Sequence, residues 1–158
     1  MHHRRKLREA SYFLQRMLAE SDTPEHFQFE LSAFLGASRS VLQYILEDAR
    51  KVPGGQSWYD QAVASDPVIL FLKNKRDENV HSRPVESRKV WRLEIRTHLD
   101  LGDDMIIPYE HHSTSTVYYF DDWSSNETVA EVGARYLQVL SSILEGGSEK
   151  GFIRASAA

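Results

Sequence analysis

Arg76, Asp77, Glu78, Asn79, Val80 and His81 run consecutively, and this stretch is the best equipped in the chain for chemistry. An arginine stays charged in a protein and is costly to bury unpaired, so Arg76 needs an anion. A carboxylate of the same chain, a partner chain or a phosphate would serve. The His81 imidazole can take up or give a proton. Asp77 stands one helical turn before it, where its carboxylate can hold either the imidazole or the guanidinium. Lys73, Asn79 and Arg83 surround the run as candidate contacts for an anionic substrate.

The element that must position these groups is a helix. Asp66 is a good N-cap, Pro67 suits the first helical position, and Pro84 disfavours helix at Arg83 before it, so roughly four or five turns fit between them. Within this span Ile69, Leu72, Arg76, Asn79 and Val80 follow the spacing of one helix face, which places Arg76 in an otherwise apolar stripe.

Length and composition bound what surrounds it. The chain has 158 residues and no cysteine. One domain of that size buries about two thirds of its unfolded surface and folds without staples. Disulfides, thiolate metal sites and cysteine nucleophiles are excluded. No apolar run approaches the roughly 20 residues that span a bilayer, and the opening Met1-His2-His3-Arg4-Arg5-Lys6-Leu7 lacks the apolar core of a signal peptide, so a cytoplasmic protein with no membrane partner is the expectation. The net charge is −4, which argues against coating nucleic acid by charge alone. Lys73 to Arg96 is locally basic, with eight cations against four carboxylates, and this basic part surrounds the Arg-His run. A solvated face accounts for such a cluster equally well. No phosphate-binding glycine loop, dinucleotide fingerprint, nucleophile elbow or zinc-protease helix is present.

Taken in order, residues from about Arg4 to Glu20 read as a first helix, with Leu7, Ala10, Ser11, Leu14, Met17 and Leu18 on one face. A second helix runs from Pro24 towards Arg50, burying Phe27, Leu31, Phe34, Leu35, Ser38, Leu42 and Ile45, and small Gly36, Ala37 and Ser38 invite close approach of a neighbour. Pro53-Gly54-Gly55 breaks the chain before a short helix from Ser57 to Ala64. After Pro84 the period changes to two: Trp91, Leu93, Ile95, Thr97, Leu99 and Leu101 alternate with Arg92, Glu94, Arg96, His98 and Asp100, the pattern of a half-buried strand. Gly102-Asp103-Asp104 reads as a turn, Met105 to Glu110 as a returning strand interrupted by Pro108, and Thr114 to Phe120 as a third strand. Ser124-Ser125-Asn126-Glu127 resembles a capping box. It opens a last helix on Val129, Val132, Tyr136, Val139, Leu140 and Ile143 that ends at Gly146-Gly147. The expectation is a mostly α protein: a bundle of four to five helices over residues 1–148, a small antiparallel sheet inserted at about 88–121 before the last helix, and a flexible tail over 149–158.

This arrangement resembles the HEPN superfamily, whose helical bundles carry an Arg, a polar residue, a few more positions and then a His. The matching residues are Arg76, Asp77 and His81. The resemblance covers residues from about 4 to 84 and the final helix, and leaves the sheet unaccounted for. Many members have Asn where this chain has Asp77. The resemblance implies RNA as a possible partner and cleavage without metal or other cofactor. It also implies a homodimer with two motifs facing one cleft, and in toxin or defence systems a cognate antitoxin or partner protein. In that chemistry His81 takes the proton of a ribose 2′-hydroxyl, Arg76 stabilises charge on the phosphate, and Asp77 orients His81 or holds Arg76. His81 lies in the last turn of its helix, where the dipole favours the imidazolium, a state suited to phosphate contact or acid catalysis.

Two other groupings have bland counterparts. If the hairpin turns near Asp103 and Asp104, His98 lies across from Glu110 or its neighbours, with His111 or His112 on its face, and a metal could be held there. Exposed strand histidines are common, and no metal ligand is assigned. Trp91, Tyr109, Tyr118, Tyr119, Phe120 and Trp123 are dense for so short a region; core packing explains most of them, and rings left outside could stack bases or bury a partner. Two functions from different classes follow. One is an endoribonuclease or RNA-binding protein of HEPN type. The other is a non-catalytic interaction or regulatory module with Arg76 in a structural ion pair.

Overall fold

The computed structural model describes residues 2–100 and 106–153, with side chains described except at 95–100 and 106–111. In chain order the described elements are α1 (His2–Ala19), α2 (Pro24–Ala49), α3 (Gly55–Ala64), α4 (Pro67–His81), β1 (Arg88–Asp100), β2 (Ile106–Tyr119) and α5 (Val129–Glu149). The protein is thus mostly helical, with a small two-stranded antiparallel sheet before the last helix.

α2 is the central helix. Its predicted stripe is buried throughout, from Phe27 through Leu31, Phe34, Leu35, Ser38 and Leu42 to Ile45. Each such apolar side chain contributes about 1.5–3 kcal/mol on burial. Ser38 is tolerated in this stripe because its hydroxyl donates to the Phe34 carbonyl at 2.7 Å. α1 packs along α2 through Ala10, Leu14 and Met17, while Leu18 faces out. Of the three small residues of α2, Ala37 and Ser38 are buried and Gly36 is exposed. A Cβ on Gly36 would meet nothing within 4 Å, whereas one on Gly133 of α5 would lie 2.9 Å from Leu14 and 3.3 Å from Phe34.

α5 begins on a capping box formed by Thr128 and Glu131, four residues after the one expected. Both stretches fit the Ser/Thr-x-x-Glu pattern; Ser125 and Glu127 instead bond each other, with Glu127 also accepting from the Trp123 indole at 2.9 Å. The helix also passes through Gly146 and Gly147 to Glu149. A side chain at Gly147 would collide with Ile153 and Trp58, so this glycine is a packing site and not a terminator. Residues beyond it fold back: Phe152 stacks on Trp58 at 5.2 Å and Ile153 is buried.

The two strands expected between Met105 and Phe120 are one continuous strand, β2, paired with β1. Pro108 does not end it, because a two-stranded sheet is all edge and an edge strand accommodates a missing N–H. The base of this hairpin is anchored. Tyr118 stacks on Phe27 at 3.6 Å and donates to the Ser21 carbonyl at 3.0 Å, and Gln28 donates to Ser87 at 2.9 Å. Beyond the base, anchoring stops. Trp91, Arg92, Leu93 and Glu94 are all exposed. Successive strand residues face opposite sides, so β1 is exposed on both of its faces there, while Thr116, its partner opposite Trp91, is buried. Along these residues the alternating pattern marks an arm leaving the bundle, and the expected half-buried sheet does not form.

Candidate functional site

α4 starts as its sequence dictates, with the Asp66 carboxylate accepting from the Val68 amide at 2.9 Å and also binding Arg135 of α5 at 3.0 Å. Its buried residues are Val68, Ile69, Leu72 and Lys75. The inward face is therefore rotated from the one read off the sequence. Val80 is exposed and Arg76 is only partly buried. The cation that continues the apolar stripe is Lys75, 8% exposed. Its ammonium lies 5.5 Å from the centre of the Phe71 ring and 5.6 Å from that of Phe120, which pack against each other, and it reaches Asp122 at 2.8 Å. A lysine can do this because its apolar stem packs while its charge stays at the rim.

Of the motif residues, the structure brings Arg76 and Asp77 together, with Nη1 3.1 Å from Oδ1. Asp77 is 44% exposed on its side chain and Arg76 27%, so the pair is a solvated one worth about 1 kcal/mol or less. The Arg76 Nε is buried without an acceptor. His81 is exposed and, among the described residues, makes no hydrogen bond or ion pair. Asp77 thus holds the guanidinium, one of its two expected partners. Asn79 serves the fold: its amide donates to Ser32 at 2.7 Å and its carbonyl accepts from the Val85 amide at 3.3 Å, tying the chain after α4 to α2. Arg83 binds Glu78 at 2.9 Å and Glu86 at 3.5 Å. The Arg83 bond, with help from Lys75, holds the Glu78 carboxyl below its ordinary pKa. Lys73 is partly buried and has no ion-pair partner among the described residues.

The same pairing recurs across the basic stretch: Arg88 binds Asp121 at 2.7 Å, and Lys75 binds Asp122 and Glu78. Four of the eight cations between Lys73 and Arg96, namely Lys75, Arg76, Arg83 and Arg88, are therefore met by carboxylates of the same chain.

In the hairpin, His98 pairs with Pro108, Arg96 with His111 and Ile95 with His112, with an irregularity between Arg96 and His98. His98 is thus not across from Glu110. The irregularity shifts the register relative to a uniform ladder. The side chains of His98, Glu110 and His111, the ring of Tyr109, and the expected turn at 102–104 lie outside the described residues. Among the described residues no three metal-ligating side chains converge, and no described helix is long and apolar enough to cross a membrane.

The surface that sequence reasoning missed is on β1. Trp91 is 71% exposed and Leu93 57%. Directly opposite Trp91, Thr116 is buried with its hydroxyl unpartnered. Thr116 also lines a groove of about 370 Å³ between Met17, Leu18, Phe27, Tyr118 and Ala134. Arg92 lines the same groove and donates to the Tyr119 hydroxyl at 2.9 Å. A signal was available: an alternating strand needs a layer to cover its apolar side, and its period alone does not supply one.

Comparisons with protein families, with curated proteins and with solved structures find no match to this chain.

Proposed function

We propose that this protein is an interaction module: the helical bundle presents the β1–β2 hairpin as a binding arm, and Arg76 stands in an ion pair with Asp77 of its own chain. The observation that carries this reading is the four consecutive exposed residues Trp91 to Glu94, two of them large and apolar. A two-stranded sheet is marginal in water, and a partner that covers the exposed stretch Trp91 to Glu94 or adds a strand beside it supplies what is missing there. The internal neutralisation of Lys75, Arg76, Arg83 and Arg88 supports a protein partner over a nucleic acid. A photo-crosslinking residue at position 93, compared in cells with one at exposed Gln61, tests it. A discrete protein adduct specific to position 93 is expected; adducts to RNA, or none beyond the control, would overturn it.

A second reading, RNA cleavage or binding of HEPN type by two chains, rests on His81. It is exposed and free of competing partners among the described residues, one to two turns after Arg76. It requires that Arg76 exchange Asp77 for a phosphate.

A further inference from the structure

Building on the reading of the hairpin as a binding arm, we infer that its partner is a second copy of this chain, paired antiparallel through the outer edge of β1 about a two-fold axis at Leu93. Among the described residues the sheet has two strands, so β1 has an edge with no described strand beside it. β1 is the better template of the two. β2 carries Pro108, which lacks a donor, and β2 is the strand that α5 packs against.

The charge pattern of β1 selects its own sequence as the complement. In an antiparallel pair, residues directly opposite share a face. Centring the pair on Leu93 sets Leu93 against Leu93 and Arg92 against Glu94 of the second copy. The two-fold repeats the Arg92–Glu94 pair, as an isologous interface must. The polar face then carries two opposite-charge pairs, and the apolar face carries Leu93 beside Trp91 from each chain. Both charged groups are available. Glu94 is exposed with no ion-pair partner among the described residues, and Arg92 spends only one of its guanidinium donors on Tyr119. The joined hairpins make a four-stranded sheet with the apolar face continuous across the axis, which answers the marginal stability of either hairpin alone.

The chain has no cysteine, so a single introduced thiol reports the register. In the full-length protein under mild oxidation, Leu93→Cys is expected to give a disulfide-linked dimer, and Glu94→Cys, whose counterpart is Arg92, to give far less. Sedimentation should show a wild-type dimer, with Arg92→Glu raising the dissociation constant at least tenfold and the double exchange Arg92→Glu/Glu94→Arg restoring it. A monomer at every concentration, with no Leu93→Cys disulfide, overturns the inference. So does a dimer indifferent to these substitutions. If position 93 still gives an adduct to a different protein in cells, the binding-arm reading survives and only the identity of the partner fails.

Discussion

Trp91 and Thr116 face each other directly across the hairpin, yet Trp91 is 71% exposed and Thr116 is 5% exposed. The boundary between bundle and arm passes between them. Two substitutions separate their roles. Thr116→Val keeps the shape and removes a buried, unpartnered hydroxyl, and because an unsatisfied buried polar group costs about 1–3 kcal/mol, the variant should be more stable by about 1 kcal/mol. Trp91→Ala should change stability by no more than about 1 kcal/mol, the size of its exposed contact with the Lys89 ammonium, while weakening association. Urea midpoints at unchanged slope measure both.

The Lys75–Asp122 contact fastens the turn after β2 to α4 and so sets where the arm leaves the bundle. Asp122 is 62% exposed and stays hydrated if it loses its partner. Lys75→Met, which retains an apolar stem beside Phe71 and Phe120, should therefore cost about 1 kcal/mol or less, whereas Lys75→Glu places a buried anion beside Asp122 and Glu78 and should cost at least about 3 kcal/mol. Chemical denaturation of the two variants checks the order.

Arg76 and Asp77 define what would distinguish a nuclease from a binding arm. If the arm is the working surface, His81→Ala and Arg76→Ala leave association through the hairpin unchanged, and any RNA cleavage by purified protein persists in both. Loss of cleavage in His81→Ala, with the fold intact by circular dichroism, would favour the RNA reading. Asp77→Asn should lower stability by less than about 1 kcal/mol, since it breaks only a solvated pair.

Stability should fall in acid in two steps. His3 is buried and desolvation lowers its pKa, so the unfolded chain takes up the proton more readily. Its contribution is complete above the ordinary imidazole value of about 6.5 and is lost as pH falls from there through the folded-state value. Glu131, held down by the Thr128 backbone and side chain, Glu127, held down first by Ser125, and Glu78, held down first by Arg83, act lower. Their contribution is present above the ordinary glutamate value of about 4.3 and fades below it. His3→Gln should flatten the first step alone, and Thr128→Ala should cost about 1 kcal/mol at neutral pH by removing the cap. Thermal melts across pH check both.

The helices are largely legible in the sequence because their signals are local: Asp66-Pro67 capping α4, the stripe of α2 and the break at Pro53-Gly54-Gly55 all stand in the structure. What misleads depends on neighbours. Gly147 looks like a stop but is a contact for Trp58 and Ile153. Lys75 replaces Arg76 in the apolar stripe because the inward face of α4 is set by Phe71 and Phe120, and Phe120 lies 45 positions later in the chain. The period of β1 is that of a strand, as expected, but period alone does not say whether anything covers the apolar side. In the candidate site, the meeting of Arg76 and Asp77 is one of the two arrangements their spacing allows; the charge compensation of Arg83 and Arg88 by Glu78 and Asp121 follows from tertiary folding and leaves no mark in spacing.

The central claim is that the apolar face around Leu93 is occupied when the protein works. Its most direct measurement is the maleimide reactivity of Leu93→Cys in living cells and in dilute purified protein, with Gln61→Cys as the exposed control in a chain without other thiols. The account predicts a thiol at position 93 that is protected in cells and reactive on dilution, beside a control reactive in both. Equal, full reactivity at the two positions in cells would contradict it.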